Sequence, residues 1–111
     1  MNQSQALEQI GTAVSQNDVV LFMKGTPRFP QCGFSAMAAA TLSQLRVPFI
    51  GLNVLDDDAL RQGIKAYANW PTIPQLYVKG EFVGGCDIVR EMHESGELEQ
   101  LLRDKGLLPA A

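Results

Sequence analysis

The reactive chemistry of this sequence centres on one cysteine, in the run Cys32-Gly33-Phe34-Ser35. Two cysteines spaced at i and i+3 can close their own disulfide, but here Ser35 takes the second position. Cys32 therefore has no partner thiol within its motif. It must find a partner in a small thiol, in another chain or in a metal, and this requirement limits the function more than any other feature.

Cys32 is predicted to lie where a loop meets the start of a helix. The loop before it, residues 24–31, is rich in Pro and Gly, which favours a surface position over burial as a small apolar residue. The first N–H groups of a helix have no intrahelical partners and, with the helix dipole, favour an anion. We therefore expect a lowered pKa for Cys32, with Lys24 adding positive charge and Ser35 able to hydrogen-bond the sulfur.

The number of available ligands restricts the metal sites that this thiol could form. An iron–sulfur cluster takes four thiolates as a rule, and a tetrahedral thiolate zinc site takes the same number. One chain offers one activated sulfur, so a cluster would have to lie between two chains and use two further thiols. Cys86 or a bound small thiol could supply them. The sequence contains no HxxxH, CxxC or acidic ligand cluster for a self-contained metal site.

Length and composition favour a small globular protein without a nucleic-acid or membrane role. The chain has 111 residues, and its nine basic and twelve acidic side chains give a net charge of −3. This charge offers no basis for binding nucleic acid or an anionic membrane, and apolar runs such as Val19–Met23 are too short to span a bilayer. The first residues, Met1–Glu8, resemble no secretory signal. We therefore expect a cytoplasmic protein in which Cys32 and Cys86 form no structural disulfide.

Hydrophobic spacing predicts elements in the order α-β-α-β-α-β-β-α-α. The first predicted helix spans residues 3–16, and the apolar residues of the second are Phe34, Met37, Ala38, Leu42 and Leu45. A third helix follows Asp56–Asp58. A short fourth helix over 88–94 is capped by Asp87, and the last helix starts at Ser95-Gly96 and stops at Gly106. The predicted strands are 19–23, buried on both faces, 49–54, and a hairpin of 75–78 and 81–84 around Lys79-Gly80. Because a helix joins the first two strands, they should be parallel. The expected fold class is α/β, with a mixed four-stranded sheet flanked by helices on both faces.

Four motifs together resemble the monothiol glutaredoxin family of the CGFS type. They are Lys24-Gly25-Thr26-Pro27, Cys32-Gly33-Phe34-Ser35, Trp70-Pro71-Thr72-Ile73-Pro74-Gln75 and Gly84-Gly85-Cys86-Asp87. Their order and spacing cover nearly the whole chain. The resemblance implies the thioredoxin-like fold and a single glutaredoxin domain over residues 1–111.

The resemblance also implies a glutathione site. Lys24 and Arg61 would pair with a carboxylate of glutathione. Ile73 would run antiparallel to the tripeptide backbone, next to a cis peptide bond at Ile73–Pro74. Cys86 and Asp87 would offer backbone N–H groups to the glutamyl carboxylate, and the Asp87 carboxylate would contact the glutamyl amine. In this family the second cysteine acts through its backbone, so the resemblance assigns no role to the Cys86 thiol.

Several of these residues have a simpler structural interpretation. Arg61 and Lys65, at i and i+4, could form a solvated helix face. Asp87 could be only a helix cap. Trp70 is expected to pack at a helix end and not to contact a ligand. Phe29 could cover the site or pack incidentally, and the sequence does not decide between these.

The resemblance implies a carrier of iron–sulfur clusters. Two chains would bridge one [2Fe–2S] cluster through two Cys32 thiolates and two glutathione thiols, for iron–sulfur assembly and transfer and iron homeostasis. The partners would be a second copy or a BolA-like protein, and then acceptor proteins. The alternative is a glutathione-dependent thiol–disulfide oxidoreductase with Cys32 as its catalytic nucleophile. A third interpretation is a regulatory module that senses iron through its cluster.

Overall fold

The structure, a computed structural model, describes residues 1–109, which form nine elements in the predicted order. The helices are α1 Gln3–Gln16, α2 Gly33–Gln44, α3 Asp58–Tyr67, α4 Cys86–Ser95 and α5 Glu97–Asp104. The strands are β1 Val19–Met23, β2 Ile50–Asn53, β3 Gln75–Val78 and β4 Glu81–Gly84. Within this part of the chain, no helix has both the length and the apolar character needed to cross a membrane.

The four strands form one mixed sheet in the order β2-β1-β3-β4. β1 pairs in parallel with β2, and Leu21 lies opposite Gly51. β1 also pairs antiparallel with β3, and β3 with β4. Lys79 and Gly80 join β3 to β4 with φ values of 51° and 82°, as a type I′ hairpin loop requires. The predicted mixed sheet with its two-residue hairpin loop is therefore confirmed.

The central strand β1 is buried along its whole length because helices cover both faces of the sheet. Successive side chains of a strand point to opposite faces. Leu21 and Met23 accordingly pack into the core formed with α2, α4 and α5, and Val20 and Phe22 into the core formed with α1 and α3. Helix α2, which begins next to Cys32, is thus anchored to the strand that ends next to Lys24.

Three details of the sequence prediction are wrong. β2 is shorter than the predicted 49–54, and its ladder with β1 ends at Ile50 and Asn53. Asp87 does not cap α4, because the helix starts earlier, at Cys86, and its N-cap is Gly85. Phe34 does not belong to the buried stripe of α2, because Ser35 and small residues one and two turns further on face the sheet. Phe34 lies on the outer face and is 63% exposed.

Candidate functional site

Cys32 is the N-cap residue of α2 and a half-buried free thiol. The backbone N–H of Ser35 is the main cause that lowers the pKa of Cys32, against a partial desolvation that raises it. The N–H of Phe34, the charge of Lys24 and the Ser35 hydroxyl lower it further. The predicted surface position at a helix N-terminus and the predicted lowering of the pKa are therefore both confirmed.

Ser35 connects the start of α2 to the end of β1. Its side chain is fully buried, and its hydroxyl oxygen accepts a hydrogen bond of 3.0 Å from the backbone N–H of Lys24. This contact fixes the distance between the strand end and the helix start. Ser35 therefore holds Lys24 and Cys32 at the same edge of the sheet, in addition to its effect on the thiol.

The loop between β1 and α2 has a defined conformation. Gln31 N–H donates to the Lys24 carbonyl at 2.9 Å, and the backbones of Thr26 and Phe29 exchange two hydrogen bonds. Gly25 has φ +89°, and a Cβ there would lie 2.5 Å from the Phe29 carbonyl oxygen. Phe29 is 72% exposed in this loop and lines neither of the cavities described below, so the structure supports neither of its two interpretations.

A groove of two adjoining cavities runs beside Cys32. One cavity, of about 240 Å³, is lined by Phe34, Trp70, Thr72, Ile73, Pro74, Gly85, Cys86, Asp87 and Ile88. The other, of about 280 Å³, is lined by Lys24, Phe34, Arg61, Lys65, Pro71, Thr72 and Ile73. Phe34, Thr72 and Ile73 line both. The groove thus brings together all five residues that the resemblance assigned to glutathione. Cys32 itself lines neither cavity, whereas Phe34, two residues further along the chain, lines both.

One end of the groove is cationic. Lys24, Arg61 and Lys65 line it without a carboxylate among the lining residues, and none of them forms an ion pair within residues 1–109. The Nε of Arg61 is buried without a hydrogen-bond partner. Like charges at i and i+4 of a helix, as in Arg61 and Lys65, are unfavourable without a counter-charge. This end of the groove therefore suits an anionic group.

The other end of the groove is the first turn of α4. Cys86 and Asp87 lie there, where backbone N–H groups and the helix dipole favour a carboxylate. The Asp87 carboxylate is exposed and lies 3.4 Å from an Arg90 nitrogen. A Cβ at Gly85 would lie 3.2 Å from the Trp70 Nε1, so a larger residue would crowd this end of the groove.

The segment from Trp70 to Pro74 forms the middle of the groove. The Ile73–Pro74 peptide bond is cis, as the resemblance implied. Trp70 packs on Phe82, with 5.7 Å between the ring centroids, and also lines the groove. The expected packing of Trp70 is therefore confirmed. Thr72 was not singled out from the sequence, although it lies within the Trp70–Gln75 motif that carried the resemblance.

Cys86 differs from Cys32 in its surroundings. It is a half-buried free thiol, and desolvation raises its pKa, with a further contribution from the Asp87 charge. Among the described residues, no group of three or more His, Cys, Asp or Glu side chains could hold a metal ion. Of the two thiols, Cys32, whose pKa is lowered, ionises more readily than Cys86, whose pKa is raised.

Comparisons with known proteins agree with this geometry. The family model described as Glutaredoxin matches residues 19–83. The chain is 50% identical over 105 residues to the probable monothiol glutaredoxin 2 of Rickettsia typhi, covering 95% of both chains. It is 54% identical over 104 residues to the mitochondrial monothiol glutaredoxin-5 of Lachancea kluyveri, covering 91% of this chain and 73% of that one. The solution structure of reduced poplar apo GrxS14 matches with a TM-score of 0.81 at 48% identity, covering 94% of this chain and 96% of that one.

These matches, together with the sheet order and the cysteine at the start of α2, show that the chain belongs to the glutaredoxin family. Within that family it is a monothiol glutaredoxin, because Ser35 stands in place of the second cysteine and relatives about 50% identical are described as monothiol glutaredoxins. The thioredoxin-like fold that the resemblance implied is confirmed.

Proposed function

We propose that the protein binds glutathione and carries a [2Fe–2S] cluster between two chains, in iron–sulfur assembly and transfer and in iron homeostasis. The observation that supports this most is one thiol of lowered pKa, Cys32, near a groove whose two ends both favour an anionic group. The thiol must stay reduced to act in this way. The reducing cytoplasm is therefore the compartment in which we propose that it works.

Glutathione fits the charges and the shape of the groove. It is a tripeptide with two carboxylates and one amine. Cys86 and Asp87 would offer backbone N–H groups to the glutamyl carboxylate, and the Asp87 side chain would hold the amine. Lys24 and Arg61 would take the other carboxylate, which would give the buried Arg61 Nε the partner that it lacks. The backbone of Ile73 would lie along the middle of the tripeptide.

The cluster is the cargo of this protein, and the donor set limits how it can be held. Two Cys32 thiolates and two glutathione thiols make the four thiolates that a [2Fe–2S] cluster takes. Half of these donors belong to noncovalently bound molecules, which favours release to an acceptor protein. A BolA-like protein could replace one of the two copies, giving a heterodimer in place of the homodimer.

Anaerobic reconstitution with iron, sulfide and glutathione tests this proposal. We expect the visible absorption of a [2Fe–2S] cluster together with a doubling of the molar mass in sedimentation. Cys32→Ser should abolish both, and Cys86→Ser, which removes the other thiol, should retain both. A colourless monomer, or a cluster that persists in Cys32→Ser, would contradict the proposal.

The lowered pKa of Cys32 also supports a second candidate function, a glutathione-dependent oxidoreductase. The Cys32 thiolate would attack the glutathione sulfur of a mixed disulfide, and the substrate would leave as a thiolate and take up a proton. A glutathione thiolate would then attack the Cys32–glutathione disulfide, forming glutathione disulfide and restoring the Cys32 thiolate. Turnover of a small mixed disulfide, measured beside a dithiol glutaredoxin, separates the two functions, because near-equal rates would favour the enzyme.

A further inference from the structure

Gln75 is a fully buried polar residue next to the groove, although it lines neither cavity. It is the first residue of β3 and pairs with Phe22 of the central strand. Its side-chain nitrogen donates to the carbonyl oxygens of Trp70 and Thr72, both at 3.2 Å. Its side-chain oxygen accepts a bond of 3.0 Å from the Tyr77 hydroxyl. Both the nitrogen and the oxygen of the Gln75 side-chain amide are therefore hydrogen-bonded.

The hydrogen bonds of the Gln75 amide fix the backbone of the segment that lines the groove. A side-chain amide has two N–H donors, and here they bind the carbonyls of two residues on the segment from Trp70 to Ile73. Burial raises the pKa of Tyr77, so its hydroxyl stays protonated and can donate to the amide oxygen. A carbonyl that is withdrawn from water needs another hydrogen-bond partner. The Gln75 amide supplies that partner to both carbonyls, so it disfavours other arrangements of this segment.

The segment held by Gln75 carries residues that line the groove. Thr72 and Ile73 line both cavities, and Trp70 lines one of them. We propose that Gln75 is a positioning residue for glutathione, because its side-chain amide holds Trp70–Ile73 in the binding conformation before the ligand arrives. A segment ordered in advance loses less entropy on binding. This inference rests on the proposed function, since it assumes that glutathione is the ligand.

A purely structural role predicts something different. If Gln75 served only to satisfy buried polar groups, each of its bonds would matter for folding and none for affinity. The chain offers a matched pair of variants. Gln75→Met keeps the length of the side chain but removes both donors to the segment. Tyr77→Phe removes the bond on the other end of the amide and leaves the two donors in place.

Titration with reduced glutathione, in the presence of a phosphine reductant, tests the proposal on the full chain. Trp70 is the only tryptophan, so its fluorescence reports on the groove, and calorimetry gives the affinity independently. We expect Gln75→Met to weaken binding by about tenfold and Tyr77→Phe by less than about twofold. Both variants should lower Tm, since each loses buried hydrogen bonding. The pH profile of Cys32 alkylation should not change in either, because the groups that lower the pKa of Cys32 lie on α2 and at the end of β1.

The proposal is overturned if Gln75→Met binds glutathione as the native chain does, or if Tyr77→Phe loses as much affinity as Gln75→Met. Failure of the native chain to bind glutathione would instead refute the proposed function. A measurement on the native chain covers the case in which Gln75→Met does not fold. The side-chain amide protons of Gln75 should exchange slowly with solvent before glutathione is added, and fast exchange that slows only on binding would contradict the inference.

Discussion

At the scale of single residues, the two thiols of this chain have opposite tendencies to ionise. Cys32 lies at the start of α2, where backbone N–H groups stabilise its thiolate and lower its pKa. Cys86 lies in the first turn of α4, which should also favour an anion, but desolvation and the Asp87 charge raise its pKa. A helix N-terminus alone therefore does not activate a cysteine. The pKa falls at Cys32, where hydrogen bonds from backbone N–H groups outweigh desolvation, and it rises at Cys86, where desolvation is the largest cause.

Alkylation rates measured against pH test this difference. In Cys86→Ser the remaining thiol is Cys32, and the rate of reaction with iodoacetamide should reach half its maximum at a pH below the usual value for cysteine, about 8.5. In Cys32→Ser the remaining thiol is Cys86, and the midpoint should lie above that value. Coinciding midpoints, or the reverse order, would contradict the assignment of Cys32 as the reactive thiol.

The thiolate of Cys32 also connects the stability of the fold to pH. Because the folded state lowers the pKa of Cys32, the folded state binds fewer protons than the unfolded chain between the two pKa values. The contribution of the Cys32 thiolate to stability is then fully present above the pKa that Cys32 has in the unfolded chain. It is lost as the pH falls through the lower pKa that Cys32 has in the folded protein. Alkylation of Cys32 should remove this pH dependence, which thermal unfolding between about pH 6 and pH 9 can measure.

At the scale of elements, the loop between β1 and α2 depends on one backbone conformation. Gly25 has φ +89°, and an added Cβ would lie 2.5 Å from the Phe29 carbonyl oxygen and 2.6 Å from the Gln31 nitrogen. The Phe29 oxygen and the Gln31 nitrogen are backbone atoms of the same loop, so they can move away from an added Cβ only if the loop changes its conformation. The loop in turn carries the chain from Lys24 to Cys32.

Replacement of this glycine should be costly. We expect Gly25→Ala to lower the free energy of unfolding by about 2 kcal/mol or more, because the strained conformation and the contacts add. The matched control is Gly11→Ala in α1, where an added Cβ meets nothing within 4 Å. That change should raise the free energy of unfolding by about 0.5–1 kcal/mol, because Ala favours the helix. Denaturant unfolding of both variants measures the two effects, and equal effects of the same sign would contradict the argument.

Most elements of this fold could be predicted from the sequence, and the error at Phe34 has a physical cause. The periodic apolar residues predicted α1 over residues 3–16, and the run Val19–Met23 predicted a strand buried on both faces. In α2 the predicted apolar residues Ala38 and Leu42 are buried, but so are the polar residues Ser35 and Thr41. Hydrophobicity therefore identified only part of the buried face of α2, and Phe34 was placed on the wrong side of the helix.

At the scale of the whole molecule, the groove could be predicted only through the resemblance. Its lining residues come from the residue after β1, from α2, from α3, from the segment before β3, and from α4 with the glycine before it. Composition and spacing do not show that these segments meet. The contacts of Gln75 were not predicted for the same reason, because a glutamine in a short motif does not reveal that two carbonyls and a tyrosine surround it.

The charges of the molecule and of its groove have opposite signs. The chain carries a net charge of −3, yet Lys24, Arg61 and Lys65 meet at one end of the groove. Over a Debye length of about 10 Å at 0.1 M salt, nearby charges act more strongly than distant ones. The local cations should therefore attract anionic glutathione despite the repulsion from the rest of the molecule.

The dependence of glutathione affinity on salt distinguishes attraction by the local cations from repulsion by the net charge, because added salt changes the affinity in opposite directions in the two cases. Screening of the local attraction should weaken binding by about threefold or more between roughly 0.02 M and 0.5 M NaCl, whereas screening of an overall repulsion would strengthen it.

Glutathione esterified at its glycyl carboxylate should show a smaller dependence of its affinity on salt. Lys65→Met should also reduce the dependence. Lys105→Met changes the net charge equally, but Lys105 lies opposite Glu81 and away from the groove, so it should leave the dependence unchanged. An affinity that rises with salt would show that the net charge of the molecule, and not the cationic end of the groove, governs binding.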